Sequence, residues 1–155
     1  MRKTRIYLDT TIPNHLFHDD VPEKKKRTQL LWEEFQTDIY EIVISEVLFR
    51  EIGRCREPKR QNMVEQIEKL NYVYVSLNEE IDEIADEIIK RGYLTKRHKI
   101  DCLQIACALY SRSKYLLSWN YDDLANHKTN KGVSEIANIY HFPTLEILLP
   151  FNFKI

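Results

Sequence analysis

Apolar residues occur in this sequence as short unbroken runs that alternate with stripes at helical spacing. The runs are rich in Val, Ile, Tyr and Leu and predict buried strands at residues 5–8, 42–44, 72–75, 115–118 and 145–149. The stripes predict helices at residues 30–35, 47–52, 63–70, 81–89, 100–110 and 133–140. Strands that alternate with helices favour a mostly parallel sheet with helices on both faces. We therefore expect a three-layer α/β/α sandwich with about four to five strands.

Polar residues at the ends of the apolar runs predict where helices begin. Asp9-Thr10-Thr11 offers N-cap chemistry, with Pro13 in the first helical turn. Ser45 and Asn78 are predicted to cap the helices that follow the second and third strands. The charged segment at residues 19–27 is predicted to be a loop.

Composition changes the picture little, and we expect residues 1–155 to form a single domain. Apolar residues make up 43% of the chain and charged residues 30%, as in globular proteins. No run of 18 apolar residues exists, so no membrane span is expected. The N-terminal residues lack the apolar stretch of a secretory signal, which predicts a cytoplasmic protein. The three cysteines form no CxxC pair and are predicted to be free buried thiols.

Acidic and amide side chains follow three of the predicted strands. Asp9 follows the first strand, Glu46 the second, and Asn120, Asp122 and Asp123 the fourth. Ligands of open α/β sheets bind at the carboxyl ends of the strands. This recurrence predicts that the groups converge into one acidic pocket.

Asp101 is the sharpest single signal because it opens a helix that is apolar nearly all round. Such helices are buried, and a buried carboxylate is costly unless it is paired, neutralised or bound to metal. The alternative is a first-turn acid stabilised by the helix dipole or paired with Lys99 or Arg97. The other acidic and amide residues have structural alternatives as well. Asp9 would cap a helix, Glu46 would be a surface acid, and Asn120 and Asp123 would be turn residues.

The residue types in this group select the metal. Carboxylate and amide oxygens suit Mg²⁺ or Mn²⁺, and no matched set of His and Cys points to zinc. Sites of this kind activate water and stabilise charge that develops on a phosphate.

Four short motifs resemble PIN-domain nucleases, in the style of the toxins of bacterial toxin–antitoxin pairs. They are YLDTT at 7–11, SEVLFREI at 45–52, IDCLQIA at 100–106 and LLSWNYDDL at 116–124. The resemblance implies a parallel sheet flanked by helices and Mg²⁺- or Mn²⁺-dependent cleavage of RNA. It also implies a small antitoxin as a partner and, as for many family members, a homodimer.

The resemblance assigns roles to individual residues. Asp9 and Asp101 match the first and third acids and are expected to bind metal, and Glu46 is matched to the second acid, as a ligand or as the group that orients the attacking water. The fourth position is divided between Asn120, as a metal ligand, and Asp123, as a catalytic acid.

Polar and basic neighbours complete the expected site. Thr10 and Ser118 would contact the site or its substrate through their hydroxyl groups, although Thr10 also suits helix capping. Lys96, Arg97 and Lys99 precede Asp101 and are candidates for RNA phosphate contacts. The alternative is a solvated loop. Residues 24–27 form a second basic run, but the net charge of −1 gives the chain no general attraction for nucleic acid.

Two other functions are compatible with such a fold. An aspartyl-phosphate hydrolase would need a second Asp two residues after Asp9, where the chain has Thr11. A PIN-like binding or regulatory module with little turnover is favoured by Asn120 at a position where the family carries an acid.

Overall fold

Five parallel strands form the centre of the molecule in a computed structural model that describes residues 2–154. Their order across the sheet is β3-β2-β1-β4-β5, and each pairing between neighbours is parallel. The strands are β1 (Arg5–Leu8), β2 (Glu41–Ser45), β3 (Tyr72–Val75), β4 (Tyr115–Leu117) and β5 (Glu146–Leu148). The predicted α/β sandwich around a parallel sheet is confirmed.

Within residues 2–154, seven helices cover the two faces of the sheet. They are α1 (Thr11–His15), α2 (Pro22–Phe35), α3 (Glu46–Ile52), α4 (Lys59–Glu68), α5 (Glu79–Lys90), α6 (Lys99–Tyr110) and α7 (His127–Ile139). Short 3₁₀ turns lie at Lys96–His98 and Pro150–Asn152. Among residues 2–154, no helix combines the length and the apolar character needed to cross a membrane.

The side chains of β1 show how the two cores arise. Ile6 and Leu8 belong to a core shared with α1 to α4, whereas Tyr7 belongs to a core shared with α5, α6 and α7. Successive residues of a strand point to opposite faces of the sheet, so a run that is apolar at every position serves both layers. Burial of α6 on nearly all sides, which the sequence indicated, is confirmed for residues 102–109.

The direction in which strands are added to the sheet reverses between β1 and β4. The chain builds outward from β1 to β2 and β3, then returns to place β4 on the other side of β1. Leu8 pairs with Leu117 at the end of these strands, and Asp9 N donates to Leu117 O at 3.3 Å. The residues that follow β1 and β4 therefore flank the crevice where open α/β sheets bind ligands.

The predicted loop at residues 19–27 is wrong, because α2 begins at Pro22. Proline suits the first position of a helix, where its missing N–H has no intrahelical partner. The buried residues of α2 start only at Thr28. The first turn and a half is polar, so hydrophobic periodicity gave no signal there.

The predicted caps had different outcomes. Asn78 caps α5 by accepting from Ile81 N at 2.8 Å, as expected. Ser45 occupies the N-cap of α3, but its side chain makes no cap hydrogen bond and contacts Tyr7 Oη at 2.7 Å instead. Thr10 is the N-cap of α1 and also makes no side-chain cap bond.

The cysteines are free thiols, and Cys102 and Cys107 are buried as predicted, whereas Cys55 is half-buried. Burial is the main reason that the pKa of Cys102 rises to about 11 and that of Cys107 to about 12. Thiols that stay protonated near neutral pH are poor nucleophiles, which favours a packing role.

Candidate functional site

Asp9 is a buried carboxyl group at the end of β1, only 3% exposed. Its Oδ1 accepts hydrogen bonds from Thr11 N at 3.0 Å and from Thr11 Oγ1. Burial raises the pKa of Asp9 to about 7, and the negative charge of Asp101 acts in the same direction. Hydrogen bonds from Ser118 and Thr11 oppose the shift without cancelling it. The surroundings of Asp9 therefore disfavour the ionised form of its carboxyl group.

Asp101 is half-buried in the first turn of α6. Burial raises its pKa to about 6, and the charges of Asp123 and Glu51 add to the effect, while His98 opposes it. Lys99, a sequence candidate for neutralising Asp101, has its Nζ 2.7 Å from Asp86 Oδ1 instead. Asp101 therefore lies among other acids, and its negative charge also contributes, as a minor cause, to the raised pKa of Asp9.

Glu51 is a neighbour of Asp101 that the sequence reasoning missed. Its Oε1 accepts from Thr10 Oγ1 and from Gln104 Nε2, the latter at 3.2 Å. Glu51 lies four residues after Val47 and three after Leu48, both of which are buried. Residues at these spacings share one face of a helix, so an acid on the buried face of α3 was the available signal.

Glu46 lies at the start of α3 but makes different contacts. Its Oε1 accepts from Leu77 N at 3.1 Å, and its Oε2 pairs with Arg50. Within residues 2–154, no hydrogen bond or ion pair joins Glu46 to Asp9 or Asp101. The expectation that Glu46 is the second acid stays a prediction, and Glu51 has the better placement.

Gln104 holds Glu51 from the buried interior. The side chain is 2% exposed, and its Nε2 donates to Thr10 Oγ1 as well as to Glu51, each at 3.2 Å. Its Oε1 accepts from Tyr7 Oη, which also contacts Ser45 Oγ. A buried polar network with every group partnered is rigid, so Glu51 is fixed before any ligand arrives.

The segment after β4 is tied to Asp9 through hydroxyl groups. Thr11 Oγ1 accepts from Trp119 N at 2.8 Å and donates to Asp9. Ser118 is fully buried, and its Oγ accepts from Asn120 N at 3.0 Å. Asn120 Oδ1 accepts from Asp123 N at 3.1 Å, which closes the turn.

Asp123 stands beside Asp101, and its charge is part of the reason for the raised pKa of Asp101. Asp123 Oδ1 lies 3.2 Å from His98 Nε2, and His98 Nδ1 lies 3.0 Å from Thr95 Oγ1. Of the two candidates for the fourth position, Asp123 supplies a charge next to Asp101, whereas Asn120 uses its oxygen in the turn.

The basic residues divide into exposed and engaged groups. Lys96 and Arg97 are exposed in the 3₁₀ turn before α6, close in sequence to Asp101. In the run at 24–27, Lys25 pairs with Asp19, and Arg27 donates to the backbone oxygens of Pro150 and Phe153. The second basic run thus contributes partly to structure.

The donor atoms fit a divalent cation in an open site. Among residues 2–154, no three His, Cys, Asp or Glu side chains converge closely enough to cage a metal ion. Mg²⁺ usually takes one or two carboxylates and completes its shell with waters and substrate phosphates. Asp9 and Asp101 provide two such carboxylates, and a cation would favour the ionised form of Asp9, which burial and the charge of Asp101 disfavour.

Comparisons with known proteins place these features in context. The family model described as "PIN domain" matches residues 6–127. A chain in the crystal structure of VapBC2 from Rickettsia felis, bound to a DNA fragment from their promoter, is similar over 94% of this chain and 98% of that one, with 13% identity and a TM-score of 0.56. A chain of VapBC-1 from nontypeable Haemophilus influenzae is similar over 96% of this chain and 100% of that one, with 18% identity and a TM-score of 0.54. No curated protein matched the sequence. At these identities the structural likeness concerns the fold.

Proposed function

Because the chain belongs to the PIN domain family, we propose that it is a Mg²⁺- or Mn²⁺-dependent endoribonuclease with its site around Asp9, Glu51 and Asp101. The resemblance inferred from the four motifs is confirmed by the family match. PIN domains are generally nucleases that use divalent metal ions. The observation that carries the proposal is the buried Asp9 carboxyl group beside the crevice where the sheet order reverses, with Asp101 close enough for its charge to act on Asp9.

Each acid has a separate role in the proposed reaction. Asp9 and Asp101 would hold the cation, which when bound would stabilise charge on the phosphate and lower the pKa of water. Glu51, fixed by Thr10 and Gln104, accepts a proton from the attacking water. Asp123 adds negative charge beside Asp101 and keeps His98 at the edge of the site.

The neighbouring side chains orient these acids or contact RNA. Ser118 positions Asp9 from a fully buried location, and Thr10 positions Glu51. Asn120 shapes the turn that presents Asp123, and the metal contact expected of it from the sequence stays a prediction. Lys96 and Arg97, both exposed, bind phosphates of the RNA, whereas Lys99 is partly neutralised by Asp86.

We extend the proposal to partners on the basis of the fold. Both similar structures are of VapBC proteins, which supports a small antitoxin that covers the acidic site as the partner we propose. A homodimer is proposed as well, from the family resemblance alone. The alternative is a PIN-like module that binds nucleic acid without turnover. Asn120 at a family acid position and the open arrangement of the acids are the observations that favour it.

Cleavage of RNA by the purified protein is the direct test. We expect structured RNA to be cut with Mg²⁺ or Mn²⁺ and to stay intact with a chelator, because ionised Asp9 and Asp101 alone repel a phosphate. Gel analysis of labelled RNA measures the products. Cleavage in the presence of chelator would contradict the metal-dependent reaction. Calorimetric binding of Mn²⁺ and RNA without any product would instead favour the binding module.

Substitution of Glu51 and Glu46 separates the two candidates for the second acid. We expect Glu51→Gln to lower the single-turnover rate by about a hundredfold or more, as for loss of a general base. Glu46→Gln should stay within about threefold of the parent, since the partly exposed i,i+4 ion pair with Arg50 that it loses contributes little. Thermal melts of both variants serve as the folding control. The opposite pattern would restore Glu46 to the role predicted from the sequence.

A further inference from the structure

A cavity of about 520 Å³ lies beside the acidic site and has no role in the proposed cleavage step. It opens between the 3₁₀ turn before α6, the segment after β4 and the start of α7. We call it the side cavity, and its walls include Tyr93, Thr95, His98, Tyr121, Asp123 and His127. Pockets of this size hold small organic ligands.

The wall after β4 is built before any ligand binds. Asn126 Nδ2 donates to the backbone oxygens of Tyr121 and Asp122, each at 2.9 Å. Thr129 Oγ1 donates to Asp123 O at 2.7 Å. These bonds fix the loop that carries Tyr121, so a ligand would not have to order it.

The opposite wall is fixed by close packing. Gly92 has a φ of +79°, a backbone conformation that suits glycine and turns the chain into Tyr93. The ring of Tyr93 lies against Gly132, where an added Cβ would stand 2.6 Å from Tyr93 Cγ. The Tyr93 hydroxyl also donates to Glu135. The Tyr93 ring can pack in this position because residue 132 is glycine and has no side chain.

Tyr121 is the unusual residue of the side cavity. Tyr121 is 61% exposed, and no other large apolar or aromatic residue within residues 2–154 has a larger exposed fraction. None of the ring pairs found within residues 2–154 includes Tyr121. Single-stranded RNA is commonly recognised by stacking its bases on exposed aromatic and histidine rings.

The side cavity and the acidic site share a boundary. His98 and Asp123 line the cavity, while Asp123 also acts on Asp101. Lys128, exposed at the start of α7, adds a positive charge on the outer side. An RNA strand with one phosphate at Asp9 and Asp101 therefore has room for its next nucleotide in the side cavity.

We propose that the side cavity binds one nucleotide of single-stranded RNA adjacent to the cleaved phosphate, with its base stacked on Tyr121. This inference rests on the proposed function and names where the substrate is held. It also predicts that the base preference of the enzyme is set by Tyr121 and its neighbours in the side cavity, separately from Asp9 and Asp101, the proposed metal ligands.

Nuclear magnetic resonance titration in the presence of a chelator tests the cavity without cleavage. The probes are the four nucleoside 5′-monophosphates and a six-nucleotide single-stranded RNA. We expect shifts concentrated at the backbone amides of residues 92–95 and 121–129. Tyr121→Ala should weaken RNA binding by about tenfold, and Tyr121→Phe should change it by less than about twofold, because the ring is kept.

Tyr110→Ala provides the matched control, since Tyr110 is an exposed tyrosine at the opposite end of α6 from Asp101. Unchanged binding by Tyr121→Ala, or shifts that fall outside the side cavity, would overturn the proposal, and so would a cavity that responds only to a protein partner. Cleavage by the parent with no effect of Tyr121→Ala rejects the cavity and keeps the nuclease. Nucleotide binding at the cavity without cleavage rejects the nuclease and keeps the cavity.

Discussion

Asp101→Asn is expected to lower RNA cleavage by about a thousandfold, because transition-state stabilisation worth several kcal/mol depends on the held cation and each 1.36 kcal/mol is a factor of ten. The substitution keeps the shape of the side chain and removes the charge that faces Asp9. Asparagine at this position also removes a repulsive charge from a half-buried place. The variant should therefore fold at least as well as the parent while losing activity.

The measurement is a single-turnover rate with Mn²⁺, accompanied by a thermal melt. Asp86→Asn is the control, since Asp86 is an exposed acid nearby that pairs with Lys99. It should leave the rate within about threefold, as expected for loss of a surface ion pair. A fully active Asp101→Asn variant would remove Asp101 from the reaction and with it the proposed site.

Metal-free protein should lose stability as the pH rises from about 4 to about 7, and Asp9 is the main reason. The folded-state pKa of Asp9 is about 7, against a usual value of 3.8. The folded state then binds more protons than the unfolded state between these values, so the free energy of unfolding falls with pH. A shift of this size corresponds to roughly 4 kcal/mol, fully expressed above pH 7. The raised pKa of Asp101 acts with the same sign.

Denaturant unfolding at pH 5 and pH 8, with and without Mg²⁺, measures this effect. Asp9→Asn should flatten the pH dependence and stabilise the metal-free protein at pH 8, since Asn Oδ1 can still accept from Thr11. Mg²⁺ should raise the Tm of the parent more at pH 8 than at pH 5, because a cation favours the ionised carboxylates. Asp122→Asn, at an exposed acid of the same edge, is the control. If the free energy of unfolding depended on pH equally in the parent and in Asp9→Asn, burial of Asp9 would not be the cause of the pH dependence.

The elements of the fold followed from apolar patterning because both cores need unbroken apolar strands. All five predicted strands form, and α6 is buried as its all-round apolar character indicated. The order of the strands was beyond such reasoning, since periodicity describes one segment at a time. The start of α2 was missed because its first turns face solvent and carry no stripe.

The candidate site was predictable where burial and position agreed. Asp9 and Asp101 are acids at strand and helix ends with apolar neighbours, and the structure brings their charges within influence of each other. In α3, the position of Glu46 directly after β2 favours it as the second acid. The helix turns that residue toward Leu77 N, and Glu51 points to Thr10. The direction in which each side chain points depends on its position around the helix axis, and the distance of Glu46 from the strand along the sequence does not show that direction.

The hydrogen-bond partners of Glu51 also bear on how the site forms while the chain is being synthesised. Gln104 closes a bond with Glu51 across 53 residues of chain and one with Tyr7 across 97. Contacts between such distant parts of a sequence cost more loop-closure entropy and slow folding. A nascent chain still short of residue 104 lacks one of the two donors that fix Glu51, and it also lacks Asp123. Synthesis on the ribosome, itself an RNA machine, therefore proceeds with an incomplete site until most of the chain has been made.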